Sequence, residues 1–569
     1  MRNRILMSRN CLEVQCDRND VETQTLMSSI YPIHTNRIKT SYKMSIHKVP
    51  EVLKLLRGIG VDNIYTAPLQ VQEYFYKELA IRSNVEDLIE NGPRESYKVN
   101  EHLTLMRHQQ LGREIAKYQD RYAFFYDTRT GKTPLSLAIM YDDIVANPSH
   151  KWLVVCPLIL IENAWIPDAA EFVPEITTIS CHASTPAKRI ERINSKANIY
   201  VTNTESFVKY REHFDKMHLT GCIIDESSDM KSPKSKVSKE LVDFAQTLER
   251  FYLLSGTPAP NGEQEYYMQL KAVDYFGIQQ SYSQFKEHYF VNMSYNPQYE
   301  KLALRPDKKD ELFTLIRKYA LYVDKEDVLT TPGRTFHEVE FELPAELKKH
   351  YNKLKNELYV ELGDGLRVTA PSAAAKLNKL NQVTSGFIID TQAVKENKFY
   401  ADNNATEWYM LDKYRFDKLE ELLNSPNVRG EQVLIWANYR KEFEIIENRL
   451  GSKCRCVYGG TSLAEKNEAI KLFKEGSIQY LIANPASADK GLTLTNAHIS
   501  IYFSLNWSYE LFKQSMERIY GDIRKQPKPC DYYVMIAKGT IDRVLYSDVL
   551  QGKGAASYAV LNHLKGSGV

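Results

Sequence analysis

One segment of nine residues constrains the fold of this chain strongly: residues 126–134 read Tyr-Asp-Thr-Arg-Thr-Gly-Lys-Thr-Pro. The apolar run 122–125 before it predicts a buried strand. Pro134 stands where the first turn of a helix tolerates a missing N–H, and the apolar residues that follow predict that helix. A strand, a tight loop containing Gly-Lys-Thr and a helix together predict a site for the phosphates of a nucleotide.

The residue types in this loop suit an anion and a metal ion. Backbone N–H groups and the positive end of the helix dipole would face the phosphates. Lys132 adds a cation, and the hydroxyl of Thr133 can ligate Mg²⁺. The remaining candidate phosphate-binding residues are Asp127, Thr128, Arg129, Thr130 and Gly131. Tyr126 replaces the first glycine of the usual G-x-x-x-x-G-K-[ST] pattern, so the loop by itself leaves a coincidental turn open.

Length and composition indicate a multidomain soluble protein. The 569 residues are too many for one hydrophobic core and predict roughly three or four domains. A net charge of +2 neither indicates nor excludes a nucleic-acid partner. No apolar run reaches the length of a membrane span, and none follows Arg2 and Arg4 as a signal peptide would. The eight cysteines form no CxxC pair, so we expect reduced thiols in a cytoplasmic protein.

Two sets of short apolar runs alternate with helical patterns, which predicts an α/β fold with two similar halves. The runs lack period-two alternation, as expected for parallel strands covered on both faces. The first set is 123–126, 152–156, 199–202, 222–224 and 251–254, and the second is 433–437, 480–483, 499–503 and 532–536. Helical patterns dominate from 262 to 425, where the Gly- and Pro-containing segment 363–371 predicts a mobile loop.

Residues 1–100 are expected to form a separate, small α+β module. Tyr42 and Met44 alternate with polar residues and predict a short strand, and the apolar residues after them predict a helix. Basic side chains outnumber the single acid Glu51 between residues 34 and 57; they are Arg37, Lys39, Lys43, Lys48, Lys54 and Arg57. Two interpretations stay open, a solvated charged face and a surface that contacts the phosphates of duplex DNA.

Two carboxylates, Asp225 and Glu226, follow an apolar run at 222–224. They are expected at the carboxyl end of a buried strand, where ligands bind in open α/β sheets. In nucleotide hydrolysis one carboxylate holds Mg²⁺ while its neighbour polarises the attacking water. We therefore predict that Asp225 and Thr133 hold the metal and that Glu226 activates the water.

Several short motifs occur in an order that resembles the Swi/Snf-type DNA-dependent ATPases of helicase superfamily two. The matching segments are 105–109, 154–157 with Trp165, 254–258 with Asn261, 325–329 with Pro332, 458–462, 491–495, 506–507 and 514–518. The resemblance extends from about residue 103 to 545. It implies that Gln109, next to Arg107, reads the adenine base, and that 154–157 with Trp165 contacts DNA as in relatives.

The closing motif of the family normally carries two arginines. The resemblance makes Arg518 the first candidate for the arginine that reaches from the second half to stabilise transition-state charge. Arg524 is the second candidate, displaced by nearly one helical turn if its segment is helical.

Other positions also depart from the family pattern. Ser228 stands where a histidine is thought to couple hydrolysis to movement, and Arg129 replaces a glycine of the phosphate loop. Ala488 and Asp489 replace a glycine pair before Gly491.

The resemblance implies an architecture and a function. We expect two RecA-like parallel-sheet lobes with helical insertions, divided as 1–100 (N-terminal module), 101–262 (first lobe), 263–425 (insertions and linker) and 426–569 (second lobe). The expected function is ATP- and Mg²⁺-dependent movement on double-stranded or branched DNA, with hydrolysis to ADP and phosphate. The N-terminal module resembles the fork-recognising part of annealing helicases, which implies DNA replication or repair.

The compact chain suggests a phage-type protein in the host cytoplasm, with phage or host replication and repair proteins as partners. Two alternatives stay open. A degenerate ATPase could serve as a DNA-binding scaffold, as Arg129, Ser228 and Arg524 indicate. A motor could instead separate strands, drive branch migration or serve a nuclease system, although the tail 551–569 is too short to hold a nuclease domain.

Overall fold

The structure is a computed structural model, and its chain divides between Val328 and Leu329 into two compact units. It describes residues 4–8, 11–16, 19–29, 34–36, 40–45, 52–53, 55–56, 69–275, 277–278, 280–293, 302–357, 359–361, 367–369, 373–389, 408–487 and 493–547. No helix within these ranges combines the length and the apolar character needed to cross a membrane.

A small antiparallel sheet opens the first unit. Its strands are β1 (Arg4–Ser8), β2 (Cys11–Gln15), β3 (His34–Asn36) and β4 (Ser41–Ser45), in the order β1-β2-β4-β3. The helix Val21–Ser29 follows β2 and contributes Met27 to a core shared with Leu12, Val14 and Tyr42. An antiparallel sheet with a helix packed on it is the α+β composition that the sequence predicts for this segment.

The basic segment of the N-terminal module is described only in part. Lys43 lies in β4 and pairs with Glu13 of β2 at 3.6 Å. The remaining basic residues, Arg37, Lys39, Lys48, Lys54 and Arg57, lie outside the described residues. The interpretation of this segment as a DNA-contacting surface therefore stays a prediction.

A seven-stranded parallel sheet forms the centre of the first unit. Its strands are β5 (Arg121–Tyr126), β6 (Trp152–Cys156), β7 (Thr178–Ser180), β8 (Ile199–Asn203), β9 (Gly221–Asp225), β10 (Arg250–Leu254) and β13 (Ala320–Val323). The strands β11 (Phe290–Asn292) and β12 (Leu302–Leu304) form a separate antiparallel pair. The order is β13-β5-β10-β9-β6-β8-β7. All five strands predicted for this half are confirmed, whereas β7 and β13, at the two edges, were not predicted.

Helices cover both faces of this sheet. They are Leu69–Asn91, Arg107–Ile115, Lys132–Ala146, Leu158–Leu160, Ile166–Phe172, Pro186–Ile193, Thr204–Lys209, Arg211–Asp215, Lys236–Ala245, Tyr266–Val273, Tyr282–Tyr289, Lys309–Tyr319 and Lys325–Val328. Successive residues of β5 enter opposite cores, since Phe124 packs in one hydrophobic cluster and Phe125 in the other. Burial on both faces explains why the strand sequences are continuously apolar.

The second unit contains a six-stranded parallel sheet. Two antiparallel pairs lie outside this sheet: β15 (Tyr359–Glu361) with β16 (Arg367–Thr369), and β17 (Phe387–Ile389) with β18 (Trp408–Met410). The strands of the sheet itself are β14 (Arg334–Phe341), β19 (Val433–Trp436), β20 (Cys454–Val457), β21 (Tyr480–Ala483), β22 (Ile499–Tyr502) and β23 (Cys530–Ala537). The sheet order is β14-β23-β22-β19-β21-β20. The four predicted strands of this half are confirmed, and the two missed strands, β14 and β20, are again at the edges.

The helices of the second unit are Ala345–Glu357, Ala373–Thr384, Tyr414–Leu423, Arg440–Leu450, Leu463–Lys474, Tyr509–Met516 and Ile541–Ser547. Part of the loop predicted at 363–371 is instead the strand β16, paired with β15. The other residues of that segment lie outside the described residues.

A buried ion pair joins two helices of the second unit, Tyr414–Leu423 and Ile541–Ser547. Nη1 of Arg415 lies 2.8 Å from Oδ2 of Asp542, and the two side chains are 2% and 3% exposed. Arg415 also donates from Nε to the carbonyl oxygen of Phe503 and from Nη2 to that of Met535. Asp542 accepts from the hydroxyl of Thr384 at 2.9 Å. Each partner is thus surrounded by hydrogen-bonding groups, as a buried charge requires.

Candidate functional site

The candidate phosphate loop connects β5 to the helix Lys132–Ala146, as the sequence predicts. Its first residue, Asp127, donates from its backbone N to the carbonyl oxygen of Val323 at 2.9 Å and so extends the pairing of β5 with β13. Arg129 and Gly131 have left-handed backbone, with φ of 66° and 84°. A Cβ at Gly131 would overlap Nε2 of Gln109, so this position requires glycine.

The helix Arg107–Ile115 holds the loop from one side. Gln109 is 3% exposed, and its Nε2 donates to the carbonyl oxygens of Thr130 at 3.1 Å and Gly131 at 3.2 Å. Its Oε1 accepts from the backbone N of Met106 at 2.8 Å. Gln109 thus lies at the loop, where its amide bonds the loop backbone.

His108 is a loop-contacting residue that the sequence analysis missed. Its Nε2 donates to the carbonyl oxygen of Thr130 at 2.7 Å, and its backbone oxygen accepts from the hydroxyl of Tyr126 at 2.7 Å. Burial lowers the pKa of His108 below 6.5, although the bond to Thr130 opposes this shift. The neutral ring with its proton on Nε2 fits this contact. The signal was its position beside Gln109 in the same motif.

Arg107, predicted with Gln109 as a nucleotide-binding residue, is exposed. Its guanidinium lies against Gly92, where an added Cβ would stand 2.7 Å from Nη2. Among the described contacts, Arg107 is therefore directed to the segment before the helix, and its role at the nucleotide stays a prediction.

Lys132 and Thr133 are the first two residues of the helix that follows the loop. Nζ of Lys132 donates to the carbonyl oxygens of Tyr126 at 3.1 Å and Asp127 at 3.5 Å. The hydroxyl of Thr130 donates to the same Asp127 oxygen at 2.7 Å. The lysine ammonium is thus held directly over the loop. A cation, a helix start, a left-handed glycine and a hydroxyl at one point fit a phosphate group with a bound metal ion.

The two candidate carboxylates follow β9 at the carboxyl edge of the same sheet. Asp225 is the last residue of β9, and its Oδ2 accepts a hydrogen bond from Nε1 of Trp165 at 3.0 Å. Its Oδ1 accepts from the backbone N of Glu226 at 3.0 Å. Glu226 has φ of 56°, a left-handed conformation that is strained for a residue with a Cβ. Such strain clusters at functional sites, where it directs a side chain out of the strand path.

Strand order brings the loop and the carboxylates together. β9 and β5 both pair with β10, and Leu254 of β10 is in register with Asp225 on one side and Phe124 on the other. Two strand spacings are about 10 Å. The segment 254–258 follows β10 between them, and a Cβ at Gly256 would stand 3.2 Å from the backbone N of Thr128. The first unit thus places Lys132, Thr133, Asp225 and Glu226 at the same end of the sheet, that of the carboxyl ends of its strands.

Trp165 has a different environment from the one that the resemblance implied. It ends a π-helical turn, Ile161–Trp165, it is 1% exposed, and its indole bonds Asp225. π-Helical turns are rare and frequently mark functional sites. Trp165 therefore connects the segment after β6 to the carboxylate of β9. Ser228, which stands where the family has histidine, is fully buried in the turn Ser227–Met230.

A second group of polar side chains lies at the carboxyl ends of β7 and β8. The side-chain atoms are Oγ of Ser180, Nδ1 of His182, Oγ1 of Thr202 and Oδ1 of Asn203; each is buried and has no hydrogen-bond partner among the residues that the structure describes. Buried polar atoms normally have partners, so these four atoms are exceptions grouped at one end of two neighbouring strands. The sequence signal for Thr202 and Asn203 was their position at the end of an apolar strand.

In the second unit, asparagines follow three neighbouring strands, β21, β19 and β22. Nδ2 of Asn438 donates to the carbonyl oxygen of Ser504 at 2.8 Å, and Oδ1 of Asn438 accepts from Nδ2 of Asn506 at 3.0 Å. Nδ2 of Asn484 donates to the carbonyl oxygen of Asn438 at 3.2 Å. Glu442, fully buried, accepts from the backbone N of Asn438 at 2.8 Å, and burial raises the pKa of Glu442. These side chains form a linked amide cluster at the carboxyl edge of the second sheet.

The two candidate arginines belong to the second unit and have different environments. Arg518 follows the helix Tyr509–Met516 and is 6% exposed, and its carbonyl oxygen accepts from the backbone N of Leu494 at 2.8 Å. Arg524 has 74% of its side chain exposed and pairs with Asp522. The helix ends at Met516, so the idea that three extra residues rotate Arg524 by a helical turn does not apply. Ala488, Asp489 and Gly491 lie outside the described residues.

Two family models match the chain. The SNF2-related domain matches residues 22–392, and the helicase conserved C-terminal domain matches residues 414–520. The first of these matches spans more than half of the 569 residues.

Similar proteins come from a phage and from eukaryotes. Protein p41 of Acyrthosiphon pisum secondary endosymbiont phage 1 is 26% identical over 432 residues, which cover 73% of this chain and 89% of that protein. The DNA annealing helicase and endonuclease ZRANB3 of Homo sapiens is 23% identical, covering 76% of this chain and 38% of that protein. The chain covers 24% of the transcription regulatory protein SNF2 of Saccharomyces cerevisiae, with 23% identity over 68% of its own length. It thus spans well under half the length of these eukaryotic relatives.

A solved structure, the Sulfolobus solfataricus SWI2/SNF2 ATPase core in complex with dsDNA, is 20% identical and covers 82% of this chain and 95% of that one, with a TM-score of 0.36. The family matches cover both units of the chain, and each unit has a parallel sheet with helices on it. The chain therefore belongs to the SNF2-related family, the Swi/Snf-type DNA-dependent ATPases of helicase superfamily two, and is a helicase-like, ATP-using enzyme with two RecA-like lobes.

Proposed function

We propose that this enzyme is a motor that uses ATP hydrolysis to move along double-stranded or branched DNA and to remodel or reanneal it. The observation that carries the proposal is the position of four side chains at the carboxyl ends of neighbouring parallel strands. Lys132 and Thr133 come after β5, and Asp225 and Glu226 stand at the end of β9. These are the side chains needed to bind a nucleoside triphosphate with Mg²⁺ and to activate the attacking water.

Each of these residues has a proposed role. Lys132 neutralises the terminal phosphates, and Gly131 with the helix N-terminus supplies backbone N–H groups. Thr133 and Asp225 would hold Mg²⁺, which supplies further neutralisation of phosphate charge. Glu226 takes the proton of the attacking water. The remaining loop residues, Asp127, Thr128, Arg129 and Thr130, shape the cradle, and Gln109 fixes two of its carbonyl groups.

The second unit contributes an arginine in this proposal. Arg518 is the first candidate for the group that stabilises transition-state charge, because it stands at the first arginine position of the family's closing motif. Arg524, exposed and paired with Asp522, is the second candidate. The protein would have an open and a closed conformation that differ in their affinity for ATP. Binding and hydrolysis of ATP would then switch the protein between them and move it a small step along DNA in each cycle.

DNA contacts are proposed mainly to the phosphate backbone. Polar side chains at the carboxyl ends of β7 and β8, those of Ser180, His182, Thr202 and Asn203, are the candidates for these contacts in the first unit. Hydroxyl, imidazole and amide groups commonly bond phosphate oxygens. Binding should accordingly be salt-sensitive and largely independent of sequence.

The N-terminal module, proposed as residues 1–100, is a candidate for recognising forked DNA. ZRANB3, a similar protein, is named as a DNA annealing helicase. The basic residues at 34–57 support a surface that contacts DNA phosphates. In this proposal residues 101–262 carry most of the first motor lobe, which also includes β13, and residues 426–569 carry most of the second, which also includes β14. The rest of 263–425 supplies insertions and linker, and the protein acts in replication or repair in the cytoplasm, with phage or host proteins as partners.

One assay tests the proposed function. Phosphate release by the full chain is measured with duplex, single-stranded, forked and four-way DNA. We expect the largest stimulation with forks, and a loss of that preference when Arg37, Lys39 and Lys43 are changed together to Ala. The matched control changes three basic residues of a second-unit helix, Lys466, Lys471 and Lys474, to Ala. Equal stimulation by all DNA forms would contradict fork recognition.

The second candidate function is a DNA-binding scaffold that has lost hydrolysis. Ser228 in place of histidine, Arg129 in place of glycine and the pairing of Arg524 with Asp522 favour it. This candidate predicts salt-sensitive DNA binding without phosphate release. Measurable phosphate release that increases when DNA is added would exclude the scaffold function.

A further inference from the structure

Lys325 is a buried lysine beside the phosphate loop. It is 1% exposed, and its Nζ donates to Oγ1 of Thr128 at 3.3 Å. Lysine side chains are almost never fully buried unless their charge is paired or hydrogen-bonded, because burial of an ammonium group costs much free energy. A lysine at this buried position, bonded to the phosphate loop, therefore indicates a role beyond packing.

The backbone around Lys325 is joined to the same loop. Val323, the last residue of β13, is paired with Tyr126 at the end of β5, and its carbonyl oxygen accepts from the backbone N of Asp127 at 2.9 Å. Two consecutive loop residues, Asp127 and Thr128, are thus bonded to the segment 323–325. A shift of the loop on ligand binding would be transmitted to that segment directly.

Thr128 also contacts the segment that follows β10. An added Cβ at Gly256 would stand 3.2 Å from both the backbone N and Cγ2 of Thr128, so the two backbones approach closely. Thr128 therefore lies between the loop after β10 and Lys325. Its hydroxyl accepts a hydrogen bond from Nζ of Lys325.

Lys325 also begins the last element of the first unit. The helix Lys325–Val328 ends where the chain passes into the second unit at Leu329. The residue bonded to the phosphate loop is therefore part of the covalent connection between the two units. Any change in its position acts on the start of that connection.

We propose that Lys325 is a positioning residue that couples nucleotide binding at the phosphate loop to the connection with the second unit. It holds Thr128 in place, adds positive charge behind the phosphates, and moves with the loop when a triphosphate binds. This inference rests on the proposed ATPase function and deepens it. It predicts that both ATP affinity and stimulation by DNA depend on Lys325.

The test measures KM for ATP and kcat of the full chain, with and without duplex DNA. We expect Lys325→Met, which keeps the length of the apolar stem, to raise KM about tenfold and to reduce stimulation by DNA by at least about fivefold. Lys325→Arg should restore part of both. Lys308→Met, which removes a partly exposed lysine paired with Glu311 in the same unit, is the matched control and should change neither.

A double-mutant cycle tests the contact itself. Thr128→Val removes the hydroxyl and keeps the branched shape, so it should raise KM in the same direction as Lys325→Met. The double variant should be no worse than the more affected single variant, because the two changes remove one interaction. Fully additive effects would overturn the proposal, and so would unchanged KM and DNA stimulation in Lys325→Met.

Three further outcomes separate failure of this inference from failure of the proposed function. If Lys325→Met does not fold, as judged by its melting temperature, Thr128→Val decides, and unchanged kinetics in that variant overturn the proposal. If the unmodified protein releases no phosphate with any DNA, the proposed function and this inference are both overturned. Normal DNA-stimulated turnover combined with unaffected variants overturns this inference alone.

Discussion

The indole Nε1 of Trp165 donates a hydrogen bond to Oδ2 of Asp225 at 3.0 Å, and both side chains are buried. This contact joins the π-helical turn after β6 to the carboxylate at the end of β9. The bond orients the oxygen that we propose as a ligand of Mg²⁺, in the way that outer partners commonly orient metal ligands.

The variant Trp165→Phe should keep most of the packing and lose this bond. We expect kcat for ATP hydrolysis to fall about tenfold and the Mg²⁺ concentration for half-maximal activity to rise. Trp152→Phe is a matched control, since Nε1 of Trp152 also donates to a buried carboxylate, that of Asp143, at 2.8 Å. Trp152 is the first residue of β6, so it lies at the amino ends of the parallel strands, whereas Asp225 lies at their carboxyl ends. Equal losses in the two variants would mean that Trp165 acts through stability only.

Lys132→Ala should abolish ATP turnover while the protein stays folded. The ammonium group lies over the loop, and its loss removes the cation proposed to neutralise the phosphates. Phosphate release and the melting temperature are measured together. Lys117→Ala, at an exposed lysine that pairs with Glu95, serves as the control and should leave both unchanged. Turnover that survives in Lys132→Ala would contradict the assigned phosphate site.

Glu226→Gln should still bind ATP and should hydrolyse it about 10²- to 10⁴-fold more slowly, the range expected for the loss of a general base. The substitution keeps the side-chain length and the left-handed backbone at φ 56°. Equilibrium binding of labelled ATP and single-turnover phosphate release distinguish the two steps. A loss of only twofold would show that another group prepares the water.

Asp542→Asn should destabilise the second unit by about 3–5 kcal/mol, because it leaves the charge of Arg415 buried without its partner. Unfolding by urea measures the change. Asp417→Asn removes a carboxylate that is 55% exposed from its pair with Arg449 at 2.7 Å and should cost no more than about 1 kcal/mol. Similar small losses in both variants would mean that the buried pair contributes little to stability.

The lowered pKa of His108 predicts how stability depends on pH. The fold favours the neutral ring, whereas the unfolded chain takes up a proton as pH falls through 6.5. The unfolded state then binds more protons, so the free energy of unfolding should fall as pH decreases below about 6.5. His108→Gln keeps an N–H donor and should reduce this slope, as measured by urea unfolding at several pH values. Exposed His102, changed to Gln, is the control; an unchanged slope in His108→Gln would contradict the assignment.

Burial on both faces explains which strands could be predicted from the sequence. The predicted strands of each sheet lie inside it or next to its edge, and their apolar runs are covered by helices on both sides. The four strands of the two parallel sheets that the sequence did not predict, β7, β13, β14 and β20, are the edge strands of those sheets. Three of these strands, β7, β14 and β20, carry polar or charged residues and therefore lack a continuous apolar signal. β13 is different, because it is an apolar run of only four residues, Ala320–Val323.

Local sequence determined the phosphate loop, because a strand, a glycine that needs left-handed backbone and a helix start are encoded within a few residues. It also determined that Asp225 ends a strand and that Glu226 follows it. Only the tertiary structure decided that Trp165 bonds Asp225 and that Lys325 bonds Thr128. Each of these contacts joins side chains far apart in the chain, and they meet because the order of parallel strands in the sheet differs from their order in the sequence.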